Sequence, residues 1–435
     1  MSFLHDRTLW IVLVIALSLR TAAACFVEQR LAGTEQRFLI PGDADGYWEL
    51  GKRIAGGSDY AVHQPPRYVL RTPGYPLLLA AVIRIAGDSV FSASLVMAWI
   101  GTCCCGLTWV LGKRLVDQRT AVLAAAWMAV SPLQVGNSVL ILSETWFAFW
   151  LLLCLIAFSG LPGRWQPGFS SSAAAYGDLS GTGELAGTAP GGRNPEVRNP
   201  LQAGRALVGG LVTGVAALVR PGWILWPGFS GSLLIAWGEG RVTKRCWHAA
   251  LIGIGCLMAL APWAWRNQQV TGHWILTSLW SGPSLYDGLH PGATGASDMR
   301  FVDQEGIYGR MSEYAANAHY KQKAWEFVLA QPRRAVELGI IKAGRYLSLT
   351  PQAAGFSGGI LSQACLVYYT AFGLMTILGA WQLRHRPALV LLLAGPFLQF
   401  LVVHMVFVGS IRYRLPVEFP LSVLAAAGTR RIRGV

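Results

Sequence analysis

The chain has 435 residues, 53% of them hydrophobic and 13% charged, at a mean hydropathy of +0.41. Soluble domains carry about a quarter charged residues, so the composition excludes an ordinary soluble protein and points to an all-α polytopic membrane protein. The net charge of +14 does not speak for nucleic acid: the Lys and Arg sit in short connectors between apolar runs, where they report orientation, and no basic face or base-stacking motif appears.

A helix needs ~20 apolar residues to cross the hydrocarbon core. Thr8 to Phe26 meets this, with Arg20 an unusual charge near its outer end. Ala22-Ala-Ala-Cys25 resembles a signal-peptide end, but more apolar runs follow, so an uncleaved first span is expected. A polar outer loop covers residues 27–72. Inside it Tyr47 to Ala55 reads as a short helix, capped by Asp43 or Asp45 and stopped by Gly56-Gly57. Pro73 to Ala86 is apolar but short, and reads as an interfacial helix on the outer surface.

Val90 to Leu111 spans next and ends in the basic turn Gly112-Lys-Arg-Leu-Val-Asp-Gln-Arg119, expected on the cytoplasmic side. Thr120 to Val135 and Leu140 to Gly160 follow. Residues 161–205 are rich in Gly, Ser, Ala and Pro, with Arg164, Arg193, Arg198 and Arg205 and no periodicity. They read as a flexible cytoplasmic loop without chemistry. Ala206 to Val219, Trp223 to Trp237 and Trp247 to Trp265 are the next spans, separated by Arg220-Pro-Gly222 and Arg241-Val-Thr-Lys-Arg245.

A second outer loop, 266–358, ends in an amphipathic helical region carrying Lys321, Lys323, Arg333, Arg334, Lys342 and Arg345. Gly359 to Leu383, Pro387 to Val408 and Leu415 to Gly428 complete about ten spans. The expected organisation is an N-terminal transmembrane module (1–160), the cytoplasmic loop, and a C-terminal transmembrane module (206–435). Both termini are then cytoplasmic, and two long outer-face loops carry short interfacial helices. The eight cysteines lie mostly in apolar runs and read as small packing residues, with no spacing for zinc.

Chemistry is expected where carboxylates meet arginines at the outer leaflet. Asp43 and Asp45 suit turn and capping roles, and also the role of a general base beside the membrane surface. Glu144 lies about one turn inside the outer end of its span, where an ionisable group is costly and usually functional. Arg220, Arg266, Arg412 and Arg414 all fall at outer ends of spans, and the guanidinium fork suits phosphate; lipid-headgroup snorkelling is the competing role of each. Lys342 and Arg345 can join them from the second loop, and Tyr286-Asp-Gly-Leu-His-Pro-Gly-Ala-Thr-Gly295 reads either as a substrate-facing loop or as ordinary turns. His63, His273 and His290 lie in outer loops without metal spacing, so no metal ligand is assigned, although a divalent cation stays open as a cofactor. No Walker loop, dinucleotide fingerprint or serine elbow is present.

In order, the chain shows D-x-x-x-Y (Asp43 to Tyr47), R-x-P-G-Y-P (Arg71 to Pro76), L-S-E (Leu142 to Glu144), L-V-R-P (Leu218 to Pro221), A-P-W-x-x-R-N (Ala261 to Asn267) and R-Y-R-L-P (Arg412 to Pro416). The series resembles the C-type superfamily of integral membrane glycosyltransferases, in particular the bacterial branch similar to protein O-mannosyltransferases and lipid A aminoarabinose transferases. That resemblance implies a polyprenyl-phosphate-linked sugar donor and transfer, with inversion, at the outer face of the bacterial inner membrane. It implies that Asp43, which alone fits the D-x-x-x-Y spacing, is the base or acceptor-positioning group, with Asp45 its local competitor; Glu144, expected at the same leaflet, is carried with them as a catalytic candidate. It also implies that Arg412 or Arg414 holds the donor phosphate, and Tyr47, Arg71, Arg220, Arg266 and Tyr286 are carried as further substrate contacts. The chain ends after its last span, without the soluble C-terminal domain that some relatives carry, and it lacks the paired Asp-Glu of the eukaryotic protein mannosyltransferases. The acceptor is therefore left as a lipid, a glycan or a protein. The alternative is a transporter or flippase of a lipid-linked sugar, which internal repeats would favour; none is visible.

Overall fold

The structure is a computed structural model that describes residues 7–167, 200–352 and 358–430. Most of the 161–205 segment therefore lies outside the described residues. Among those described the chain is almost entirely helical, with two isolated bridges, Val62 to Arg67 and Gly163 to Gly238, and no strand.

The first helix, α1 (Arg7–Leu31), shows why such a chain belongs in lipid. Its buried stripe is Leu9, Val12, Ala16, Arg20 and Ala24, while Trp10, Ile11, Val14 and Ile15 face outward. A soluble helix has the opposite distribution. Arg20 lies on the inner stripe, fully buried, and its guanidinium donates to Ala16 O at 3.1 Å, Met128 O at 3.0 Å and Ala129 O at 3.3 Å. It thereby satisfies carbonyls at the end of another helix, where backbone acceptors are left over and the helix dipole favours a cation.

The next elements are α2 (Asp43–Ala55), α3 (Gly74–Ala86), α4 (Val90–Leu115), α5 (Gln118–Val130), α6 (Pro132–Asn137) and α7 (Glu144–Ser159). They are followed by α8 (Pro200–Val219), α9 (Trp226–Trp237) and α10 (Val242–Thr271). Residues 200–205, read from sequence as loop, are the first turns of α8. Six described helices are long and apolar enough to cross a membrane: α1, α4, α8, α10, and two later ones, Gly359–Gln382 and Pro387–Val406. The other four stretches read as spans are helical too, but with 12 to 16 residues each they are shorter than a full crossing needs. The last of them, Leu415–Gly428, is buried along its whole length in the middle of the bundle, which a sequence apolar on every side but for Glu418 and Ser422 allows.

The second outer loop is not loop for most of its length. It folds into α11 (Ser281–Gly288), α12 (Arg300–Glu305), α13 (Glu313–Ala330) and α14 (Pro332–Tyr346), with small apolar clusters of its own around Leu289, Phe327 and Leu338 and around Val302, Tyr308 and Tyr320. After it come α15 (Gly359–Gln382), α16 (Pro387–Val406), the 3-10 turn Ile411–Arg414 and α17 (Leu415–Gly428). That turn carries two of the arginines singled out from sequence.

Candidate active site

The first outer loop enters its helix through Gly42, whose φ of 85° is open to glycine at little cost. Asp45, three residues on, turns its carboxylate back to accept the Gly42 N–H at 2.6 Å. This is half of a capping box, and it separates the two aspartates: Asp45 closes the helix start on the exposed side. Asp43, at the first helical position, points to the other side and meets arginines. Its Oδ1 accepts from Arg71 Nη2 at 2.8 Å and its Oδ2 from Arg412 Nη2 at 2.6 Å.

Arg412 continues the chain of contacts. Its Nε donates to Glu144 Oε1 at 2.5 Å, and Arg220 Nη1 approaches the same oxygen at 2.9 Å. Five charged side chains from five separate parts of the sequence thus form one cluster of three guanidiniums and two carboxylates. Glu144 is fully buried at its base, whereas the Asp43 side chain stays about 34% exposed. Exposure within the cluster is thus greatest at Asp43 and nil at Glu144. Burial alone would raise the Asp43 carboxyl, but Arg71 and Arg412 outweigh it and hold the group well below the usual carboxylate range. In return Asp43 and Glu144 hold Arg412 firmly charged against its own burial.

Aromatic rings wall the cluster. Arg71 lies over the Tyr47 ring at 4.4 Å, and Arg220 and Arg412 lie over Tyr413 at 4.9 and 5.2 Å. Tyr413 is in turn stacked on His404 at 4.2 Å, and Tyr47 meets Tyr75 edge-on at 5.0 Å while its hydroxyl reaches Ser143 Oγ at 3.4 Å. The R-x-P-G-Y-P motif explains part of this placement. A Cβ at Gly74 would come within 2.7 Å of Leu218 O, so only glycine lets the start of α3 press against the end of α8, next to Arg220. Trp146 Nε1 donates to Gly74 O at 3.0 Å and ties α7 to the same point. An apolar crevice lined by Phe38, Ile40, Val90, Leu140 and Ile141 opens beside Ala44, one residue from Asp43.

The other residues singled out from sequence are engaged elsewhere. Arg266 donates to Tyr68 O at 2.6 Å and Tyr60 O at 3.0 Å, so it braces the first outer loop rather than facing the cluster. Glu313 of α13 braces the same stretch, accepting the N–H of Tyr68 at 2.9 Å and of Val69 at 3.1 Å. Arg414 is buried and donates to Glu418 Oε1 at 2.7 Å, Tyr346 O at 3.1 Å and Ser348 O at 2.9 Å. Lys342 is fully buried with its ammonium on Gly288 O and Val406 O. Arg345 Nε donates to Gly409 O at 3.0 Å, and Tyr286 packs among Tyr320, Phe301 and His290 in the outer helices. No three His, Cys, Asp or Glu side chains gather to hold a metal ion among the described residues.

Sequence reading passed over Tyr413, His404 and Glu418. Glu418 had a usable signal, an ionisable residue inside an apolar run. The two rings had none, because aromatic residues are common throughout this chain.

Residues 70–174 match the family described as dolichyl-phosphate-mannose-protein mannosyltransferase. No curated protein matches the chain by sequence. Among solved structures, the oligosaccharyltransferase of Archaeoglobus fulgidus in its apo form aligns with 98% of this chain at TM-score 0.52 and 14% identity. The same enzyme tethered to an acceptor peptide aligns at TM-score 0.54 and 14% identity, again over 98% of this chain and 50% of its own. ArnT from Cupriavidus metallidurans bound to undecaprenyl phosphate is matched more loosely, at TM-score 0.43 and 13% identity over 98% of this chain and 78% of its own. The chain spans about half the length of the oligosaccharyltransferase it matches. It is a multi-span membrane protein that shares the fold of the Archaeoglobus fulgidus oligosaccharyltransferase, and its residues 70–174 match the family described as dolichyl-phosphate-mannose-protein mannosyltransferase.

Proposed function

We propose that the protein transfers a glycosyl group from a polyprenyl-phosphate-linked donor to an acceptor at the outer face of the bacterial inner membrane, with inversion at C1. The reading rests above all on the Asp43–Arg412–Glu144 cluster with Arg71 and Arg220. It puts a partly exposed carboxylate in one cluster with three guanidiniums, and all five charged residues come from outer-face positions of the expected topology. The archaeal oligosaccharyltransferase whose fold the chain shares has been seen with a dolichol phosphate, a ligand of the same chemical class as the donor proposed here.

In this scheme the isoprenoid tail lies along the apolar helices and its phosphate on Arg412, Arg220 and Arg71. The acceptor is a lipid, a glycan or a protein group bearing a nucleophilic O–H or N–H, which attacks C1 from the side opposite the phosphate. The acceptor–C1 bond forms as the C1–O bond breaks, the electron pair leaves with the polyprenyl phosphate, and the acceptor proton passes to Asp43. Phosphate is a good leaving group, so the protein's tasks are alignment, charge stabilisation and proton removal. The ten-span topology belongs to the same reading: α5, α7, α9 and α17 complete the set of crossings alongside the six long helices, within modules 1–160 and 206–435.

The test is transfer of radiolabel from polyprenyl-phosphate sugars to membrane acceptors by purified protein in liposomes. Wild type should transfer, and Asp43→Asn should lose transfer by at least ~100-fold, the usual scale for a general base, with unchanged thermal unfolding. Full activity in the variant would remove Asp43 from this role. Label crossing the bilayer unchanged in both proteins would replace the transferase with a flippase.

A further inference from the structure

We infer that in the unliganded protein Asp43 and Glu144 occupy the positions on the arginines that the donor's phosphate oxygens take, so that donor binding releases Asp43 and must precede use of the acceptor. The inference rests on the transferase reading above and adds an order of events to it.

The geometry at Arg412 carries the argument. Its Nε and Nη2 form the edge with which a guanidinium grips two oxygens at once. Here that edge is filled by oxygens of two different carboxylates, Glu144 Oε1 on Nε at 2.5 Å and Asp43 Oδ2 on Nη2 at 2.6 Å. Two oxygens of one phosphate fit the same edge. Arg71 shows the pattern half made: its Nη2 holds Asp43 Oδ1, while its Nε is buried without a hydrogen-bond partner. Glu144 Oε2 is also buried without one, and Arg220 Nη1 has close range to Glu144 but no well-formed hydrogen bond. Buried polar atoms are normally paired, so a cluster with orphans on both the acidic and the basic side is incomplete. With three guanidiniums against two carboxylates, it carries one net positive charge, matching the single negative charge of a phosphodiester.

As the cluster stands, Asp43 is a poor base. Both its oxygens are committed to charge-assisted hydrogen bonds, and the arginines hold its carboxyl well down. An acceptor hydroxyl meets a carboxylate whose two oxygens each already accept from a guanidinium. When a phosphodiester takes the Arg412 edge, Asp43 Oδ2 is freed beside the anion that displaced it. A carboxylate that has lost a cation and gained an anionic neighbour binds protons more readily. The donor therefore creates the base that its own transfer requires, and acceptor deprotonation in its absence is suppressed.

Competition and orientation by the carboxylates change phosphate binding in opposite directions. If the carboxylates compete with phosphate for the arginines, neutralising either one tightens phosphate binding. If they build the phosphate site by orienting the arginines, neutralising either one weakens it. The experiment titrates wild type, Asp43→Asn and Glu144→Gln in nanodiscs with a polyprenyl phosphate carrying no sugar, with thermal unfolding of each protein recorded to confirm folding. Asp43→Asn is expected to bind roughly tenfold more tightly, the equivalent of about 1.4 kcal/mol, while transfer is lost. Glu144→Gln is expected to move in the same direction, which keeps the test open should one variant not fold. Equal or weaker binding by the folded variants, with wild type binding and transferring, overturns the exchange and leaves the transferase reading in place. A wild type that binds no polyprenyl phosphate overturns both.

Discussion

At the scale of single residues, the informative contrast is between Asp43 and Asp45, two positions apart on one helix turn. Sequence reading could name both as caps and both as bases, because Asp serves either end. What separates them is the direction each takes from the backbone of α2. Asp45 turns back to the Gly42 N–H, and Asp43 reaches residues 28 and 369 positions away. Asp45→Ala should therefore cost about 1 kcal/mol of stability through the lost cap and leave transfer within a few-fold of wild type. Asp43→Asn should do the reverse. Unfolding midpoints and initial rates measured on the same two preparations decide the assignment; a loss of transfer in Asp45→Ala at unchanged stability would exchange the two roles. The family resemblance, through the D-x-x-x-Y spacing, singles out Asp43, and the structure places Tyr47 one helical turn on with Arg71 over its ring. Arg71 as the partner was not legible, because nothing in a linear sequence says which of many arginines returns to a given carboxylate.

The same limit operates on elements. Arg412 and Arg414 are two residues apart on one 3-10 turn, and sequence offered both for the phosphate. On so tight a turn neighbouring side chains diverge, and here they part completely: Arg412 enters the cluster, while Arg414 goes into the bundle. There it meets Glu418 and the carbonyls that end α14, and Glu418 also accepts from Gln134 Nε2 at 3.0 Å and Tyr369 at 3.4 Å. The turn is thus fastened to α6, α14, α15 and α17, and Arg412 is presented from a fixed base. Arg414 and Glu418 are positioning residues on this reading. Glu418→Gln leaves a buried guanidinium without its counter-charge, which should cost about 3–5 kcal/mol. Adding Arg414→Met should return much of that stability, as expected when both members of a buried pair are replaced. If the pair also positions Arg412, the double variant stays stable yet shows a raised donor KM. A stable double variant with wild-type KM would reduce the pair to packing.

Across the whole molecule, the apolar runs were legible because length and hydropathy are local properties, and each expected span has a helix in the structure. The second long loop reads from sequence as ending in an amphipathic helical region, and α13 and α14 lie there; the shorter α11 and α12 ahead of them have too few residues to show a period, and α11 takes its order from packing on α13. Lys342 shows how that packing is made. It was read as a phosphate ligand, a fair inference for a basic residue in an outer loop. On α14, however, Val336 and Ile340 face outward while Lys342 faces inward, and its ammonium bridges Gly288 O at the end of α11 to Val406 O at the end of α16. It pins the outer helices to the spanning bundle at two helix C-termini, where a cation is favoured.

Burial pushes the Lys342 ammonium down from 10.5 to about 8, with Asp287 opposing the shift only in part. The unfolded chain then binds more protons than the folded one between about pH 8 and 10.5, so this residue's contribution to stability rises with pH across that window and is flat below it. The full change is at most about 3 kcal/mol at 1.36 kcal/mol per pKa unit. Thermal unfolding of wild type and Lys342→Met in detergent, compared at pH 7.5 and again near pH 10, measures it as a difference between the two proteins. The wild type should gain on the variant as the pH rises. A difference that stays constant would mean that the two carbonyls hold the ammonium charged throughout, and that Lys342 joins the outer layer to the bundle at no titratable cost.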